Sequence, residues 1–177
     1  GQRAHRFWTP ARDMLRLARD EEYVEAFAER LAAAVRAQLR VVGPPAVLMS
    51  GGLDSTAVAA LAARAVGSGG QVGAVSWRFR ELSGADESEY AAAMMQHAGL
   101  APVWVEGDEQ WTLRDADPQE IDPNQPIVSF SRRLHDAAYA AAAARGGRTL
   151  LTGHWADELY QGSRALWLRD ALLRGAW

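Results

Sequence analysis

A chain of 177 residues that is 49% hydrophobic has the size of one domain and enough apolar content for a substantial core. A formal net charge of -3 argues against a dedicated nucleic-acid binder, whose affinity rests on clustered positive charge, and the lack of cysteine excludes disulfides, zinc–thiolate sites and cysteine nucleophiles. All 19 basic residues are arginine, which excludes a P-loop, Schiff-base or acid–base lysine within these boundaries.

Gly1 to Pro10 is polar and aromatic without periodicity, and Phe7-Trp8-Thr9-Pro10 is expected to pack where the domain begins. From Tyr23 to Leu39, the residues Val24, Phe27, Leu31, Val35 and Leu39 recur at helical spacing, until Gly43-Pro44-Pro45 stops the helix. Ala46 to Met49 reads as a buried strand. Ser50-Gly51-Gly52 then turns the chain, and Asp54 or Ser55 can cap a helix running to about Val66. After the flexible Gly67-Ser68-Gly69-Gly70, Val72 to Trp77 reads as a second strand. Asp86-Glu87 opens a helix through about His97, with Met94-Met95 as gap-filling core and Gly99 where a C-terminal cap belongs. Pro102 to Glu106 reads as a third strand, and Gly107 to Pro126 as a long acidic stretch. Ser129 to Arg145 is strongly helical, Thr149 to Thr152 a fourth strand, and Ser163 to Trp177 an amphipathic helix. The seven tryptophans are expected in the core and at its rim. No apolar stretch reaches membrane-spanning length and the N-terminus shows no signal pattern, so a cytoplasmic domain without membrane or nucleic-acid partners is expected.

Short apolar strands alternating with helices predict an α/β fold, a parallel sheet flanked by helices on both faces. Ligands of such sheets bind beyond the carboxyl ends of the strands. Two loops there carry unusual residues. In the first, Gly51 and Gly52 let backbone amides approach a ligand, the next helix offers unpaired N–H groups, and Ser50 and Ser55 offer hydroxyls. These features suit a phosphate, and Mg²⁺ would reconcile it with the Asp54 carboxylate. The competing reading is a glycine turn with Asp54 as a helix cap. The second loop, Gly153 to Gly162, brings Asp157 and Glu158 to the same edge, either to complete a metal's coordination or to cap the next helix. His5, His97 and His135 show no metal-ligand spacing.

Ser50-Gly51-Gly52-Leu53-Asp54-Ser55 resembles the SGGxDS pyrophosphate loop of the N-type ATP pyrophosphatases. Leu151-Thr152-Gly153 through Asp157-Glu158-Leu159 resembles a segment of the asparagine synthetase family within that superfamily, as do Phe7-Trp8-Thr9-Pro10 and Asp86-Glu87-Ser88-Glu89-Tyr90-Ala91. The resemblance implies a single ATP-binding synthetase domain over residues 1–177, lacking an upstream glutaminase domain and the remainder of the synthetase domain. It implies an enzyme that adenylates a small-molecule or peptide carboxylate with ATP, releases pyrophosphate and passes the acyl group to an amine or ammonia. Ser50, Gly51, Gly52 and Ser55 would bind pyrophosphate, and Asp54 and Asp157 would hold Mg²⁺. The strand at Val75 to Trp77 would pass its backbone beside the adenine, and Gly153 would lie near the α-phosphate.

Three departures qualify this. His154 stands where asparagine synthetases have Glu and β-lactam-forming relatives have Tyr, so it serves either as an acid or base or as a structural histidine. Trp155 replaces a small residue, Gln161 replaces a glycine, and the family's domain continues well past Trp177. The alternatives are a β-lactam- or lasso-peptide-type cyclising synthetase, or a non-catalytic nucleotide-binding or scaffolding module. A fragment of this kind is expected to be inactive in isolation and to self-associate through uncovered apolar surface.

Overall fold

All four residues of β1 (Ala46–Met49) are buried, as a strand covered on both faces requires. The computed structural model, which describes residues 3–9, 11, 13–111, 131–157, 164–173 and 175, sets β1 inside a parallel sheet with β2 (Gly73–Arg78), β3 (Ala101–Glu106) and β4 (Leu150–Leu151). The order is β3-β2-β1-β4. Ala46 is in register with Gly73 on one side and with Leu150 on the other. The chain therefore steps outward from β1 to β2 to β3, then returns across the sheet to β4. That reversal makes the gap between the carboxyl ends of β1 and β4 the place where such sheets take ligands.

The period-two alternation of the strands divides the core. Val47, Met49 and Ala74 pack with Val35 of α1 (Asp20–Gln38), Ala59 and Ala62 of α2 (Leu53–Val66), and Ala91 and Met95 of α3 (Ser88–Ala98). Leu48, Val75, Val103 and Val105 pack on the other face against Ala138 and Ala142 of α4 (Arg132–Ala144). This is the expected parallel sheet with helices on both faces. No helix among the described residues is long and apolar enough to cross a membrane.

Several expectations need correction. Phe7 and Trp8 do not pack: they are 94% and 70% exposed, and the segment before α1 is held instead by Tyr23, whose hydroxyl accepts the Leu17 N–H at 2.8 Å. Trp77 and Trp104 are half-buried at the rim of the core, and Trp8, Trp111 and Trp155 are exposed. Leu166, Leu168, Leu172 and Leu173 of α5 (Arg164–Leu173) are exposed, in line with the expected uncovered apolar surface. Neither Asp54 nor Ser55 caps α2; Gly52 is the N-cap residue and no side chain caps the helix there. Pro10, most of the acidic stretch, Glu158, Gln161 and Trp177 lie outside the described residues.

Asp86 organises the entry to α3. Its carboxylate accepts the Ser88 hydroxyl at 2.9 Å and the N–H groups of Phe79 and Ser88, both at 3.3 Å. The Ser88 hydroxyl, with the two amides and the nearby Arg78 charge, lowers its pKa below the ordinary aspartate value against an opposing desolvation. A lowered folded-state pKa contributes stability that is present above the unfolded pKa and lost as pH falls through the folded one. Asp86→Ala should therefore lower the urea midpoint at pH 7, and the gap to the wild type should close as pH drops below about 4. A gap that is constant between neutral and acid pH would show that the carboxylate's charge plays no part.

Candidate active site

The loop after β1 is shaped by its own hydrogen bonds. The Ser55 hydroxyl donates to the Gly52 carbonyl at 3.2 Å and accepts the Ser50 N–H at 3.2 Å. Its one proton being committed, the 3.3 Å contact between the two serine hydroxyls has Ser50 as donor. The Gly52 N–H in turn donates to Ser50 Oγ at 3.3 Å, and Thr56 donates both its N–H and its hydroxyl toward the Gly52 carbonyl. Ser55 is the third residue of α2, so its buried side chain shapes the loop and does not cap the helix. The first amides of the helix are left without intrahelical partners, and they carry the positive end of its dipole.

Gly51 has φ +87°, and a β-carbon there would meet the Glu87 carbonyl oxygen at 2.9 Å. Its glycine character answers to the approach of the α3 entry. Gly153 is the second forced glycine. A β-carbon on it would lie 2.8 Å from the Ser55 nitrogen, 2.9 Å from the Asp54 carbonyl carbon and 3.1 Å from Asp54 Cβ. The loop after β4 is thus pressed directly on the first turn of α2. It goes on through His154 and Trp155 to a helical turn at Ala156 and Asp157, closed by the Ala156 N–H donating to the Gly153 carbonyl at 3.3 Å.

Between the two loops lies a cavity of about 500 Å³. Ser50, Gly52, Asp54, Ser55, Trp77, Gly153, His154 and Asp157 all line it. Gly51 and Val75 do not. Val75 is fully buried against α4, and its side chain borders a different hollow, near Pro44 and Gly147 at the amino ends of the strands. Depth along β2 explains this, since Trp77 shares a face with Val75 but lies two residues further toward the carboxyl edge. The Trp77 indole N–H donates to the Leu134 carbonyl at 3.0 Å, which ties the cavity wall to α4. Behind it stands His135, edge-on to Trp77 with ring centres 5.4 Å apart and 5.3 Å from the ring of His154. Spacing in the sequence leaves His135 out, because its neighbours at the site come from β2 and the loop after β4.

Residues 26–176 match the Asparagine synthase family. The chain belongs to that family. It is 28% identical over 172 residues to Amidase chry2 of Gibberella zeae, covering 89% of this chain and 26% of that protein. It is 29% identical over 154 residues to Amidase chyE of Penicillium rubens, covering 81% and 23%. The chain spans about a quarter of the length of these curated relatives. The fold is also that of the NH3-dependent NAD synthetase from Campylobacter jejuni, with a TM-score of 0.53, 21% identity, and 78% of this chain and 60% of that one covered. The glutamine-dependent NAD+ synthetase from Acinetobacter baumannii, in complex with ADP, gives a TM-score of 0.54 at 20% identity, covering 81% and 28%. At such identities the likeness speaks for the fold alone.

In this member of the Asparagine synthase family, Trp155 has φ +67°, a left-handed conformation that a bulky residue rarely adopts. Its ring is 72% exposed, so little burial offsets the strain. Trp155→Gly should leave the unfolding free energy within about 1 kcal/mol of the wild type or raise it, because relief of strain opposes glycine's added chain entropy. A larger loss in chemical denaturation would overturn that account. Gly153→Ala should cost about 1–3 kcal/mol in the same experiment, since the new methyl group meets backbone that cannot rotate away. A neutral substitution would mean that the two loops part without penalty.

Proposed function

We propose that this chain is the nucleotide-binding part of an ATP-dependent, amide-forming synthetase that activates a carboxylate as its adenylate. The observation that carries the reading is the convergence, across Gly153, of the loops after β1 and β4 on one cavity that both Asp54 and Asp157 line. The preshaped serine–glycine loop and the unpaired first amides of α2 suit a pyrophosphate leaving group, whose charge they would meet without reorganising. Amide chemistry is also what the names of the two fungal amidases speak of.

Asp54 and Asp157 would hold Mg²⁺. Among the described residues no group of three or more His, Asp or Glu is placed to hold a metal ion. That suits Mg²⁺, which binds through one or two carboxylates and completes its shell with substrate phosphates and water. Bound there, it supplies neutralisation of the developing phosphate charge. In the proposed reaction the carboxylate oxygen attacks the α-phosphorus, pyrophosphate leaves, and an amine then displaces AMP from the acyl carbon. His154, in the wall of the same cavity, would take the proton of the attacking amine. A histidine in place of the family's Glu or Tyr favours a specialised carboxylate, a β-amino acid or a peptide, over aspartate. An upstream glutaminase domain in the complete protein is the proposed ammonia source where the acceptor is ammonia.

Calorimetric titration of ATP into the chain, with and without Mg²⁺, tests the nucleotide site. Binding should require Mg²⁺ and weaken at least about tenfold in Asp54→Ala and in Asp157→Ala, with the far-UV spectrum unchanged. Equal affinity in wild type and both variants would sink the metal assignment.

A further inference from the structure

His135 holds a buried nitrogen that nothing so far uses. Its Nδ1 lies 2.8 Å from the Ser131 carbonyl oxygen. A carbonyl only accepts, so Nδ1 carries the hydrogen, and in the neutral ring Nε2 is then a bare lone pair. That Nε2 is buried and has no hydrogen-bond partner among the described residues. Buried acceptors are nearly always satisfied, so an orphan beside a cavity calls for a donor that arrives or turns.

Three aromatic rings surround it. The Trp77 N–H is committed to Leu134, and Tyr139, exposed and one turn along the same helix, has its ring centre 6.3 Å away. His154 is the nearest ring, at 5.3 Å and an interplanar angle of 62°. Two imidazoles joined by an N–H···N bond of about 2.9 Å have centres roughly 5.1 Å apart, so the spacing of the two rings matches a bond from His154 to Nε2. It is exposed and sits on the loop after β4, free of the packing that fixes His135.

We propose that His135 is the positioning residue for His154: its Nε2 accepts one imidazole N–H of His154 and so keeps the other His154 nitrogen as a lone pair toward the cavity. What that lone pair does rests on the amide-forming reading; the pairing itself does not. In that reaction the amine's electron pair forms the C–N bond, AMP leaves with the electrons of the C–O bond, and the amine proton goes to His154. The imidazolium so formed already has one N–H held by His135, as an orienting group holds a catalytic histidine in its working tautomer.

Long-range ¹H–¹⁵N spectra of the whole chain at about pH 8, where a free imidazole is neutral, test the pairing. They should show His135 as a single Nδ1–H tautomer, with a coupling through the hydrogen bond to a His154 nitrogen. In His135→Phe, which keeps a ring but removes the acceptor, His154 should relax to the tautomer mixture of a free imidazole. In His135→Gln, whose Oε1 replaces the Nε2 acceptor, it should stay biased. An unchanged His154 tautomer ratio in His135→Phe would overturn the proposal, and if that variant does not fold, absence of the coupling in the wild type would do the same. Mg·ATP affinity, measured alongside, should agree within about twofold across the three proteins, and a drop of more than about tenfold in His135→Phe would make His135 part of the nucleotide site instead. A folded wild type that does not bind Mg·ATP counts against the nucleotide reading alone, because the spectra still judge the pairing.

Discussion

Gly153 and the first turn of α2 share a space that has no room for a β-carbon. This contact spans the one gap in the sheet where the chain reverses direction, between the carboxyl ends of β1 and β4. Parallel strands in register would bring the two following loops near each other in any case, with Ala46 opposite Leu150 and Val47 opposite Leu151. Backbone-to-backbone contact does more. It fixes the depth at which the second loop enters, so that His154 and Asp157 reach the cavity that Asp54 and Ser50 line from the other side.

The first loop has a different source of rigidity. Its hydroxyls and amides satisfy one another, from the Ser50 N–H through Ser55 to the Gly52 carbonyl, which Thr56 also reaches. A loop that spends its side-chain donors on its own shape has only the helix amides to offer an anion. Those amides have no intrahelical carbonyl partner, and no side chain caps them at Gly52. Rigidity and unsatisfied donors together are what electrostatic preorganisation requires.

The sheet was legible because its inner strand is an unbroken apolar run, Ala46 to Met49, bounded by Pro-Pro before and Gly-Gly after. The glycines of both loops were also legible as constraints, but two of the reasons differ. Gly51 gives way to the Glu87 backbone and Gly153 to Asp54 and Ser55, contacts within the fold that a local pattern cannot announce. Val75 and Trp77 share a face of β2, yet only Trp77 reaches the cavity, because depth along a strand depends on where the sheet ends. Phe7 and Trp8 show the opposite error. Aromatic residues suggest packing, but packing needs a partner, and the described residues offer those two none. His135 is invisible to spacing arguments, since it meets β2 and the loop after β4 only once α4 has crossed the sheet.

The two walls of the cavity differ in how firmly the fold holds them. The SGGxDS wall is intact from Ser50 to Ser55, and its geometry is over-determined by hydrogen bonds and by the contacts of Gly51 and Gly153. A side chain added at Gly51 or Gly153 would disturb backbone that several elements share. The opposite wall carries the departures, His154 and Trp155, and there the side chains are exposed. Trp155 tolerates a left-handed φ only because the chain is held on both sides of it, by the packed Gly153 before and the Ala156–Asp157 turn after. Such a turn exchanges its side chains without moving its backbone, and the residue it presents to the cavity is free to change with the group that attacks. His154 is that residue, and behind it stands His135, whose buried Nε2 has no hydrogen-bond partner among the described residues.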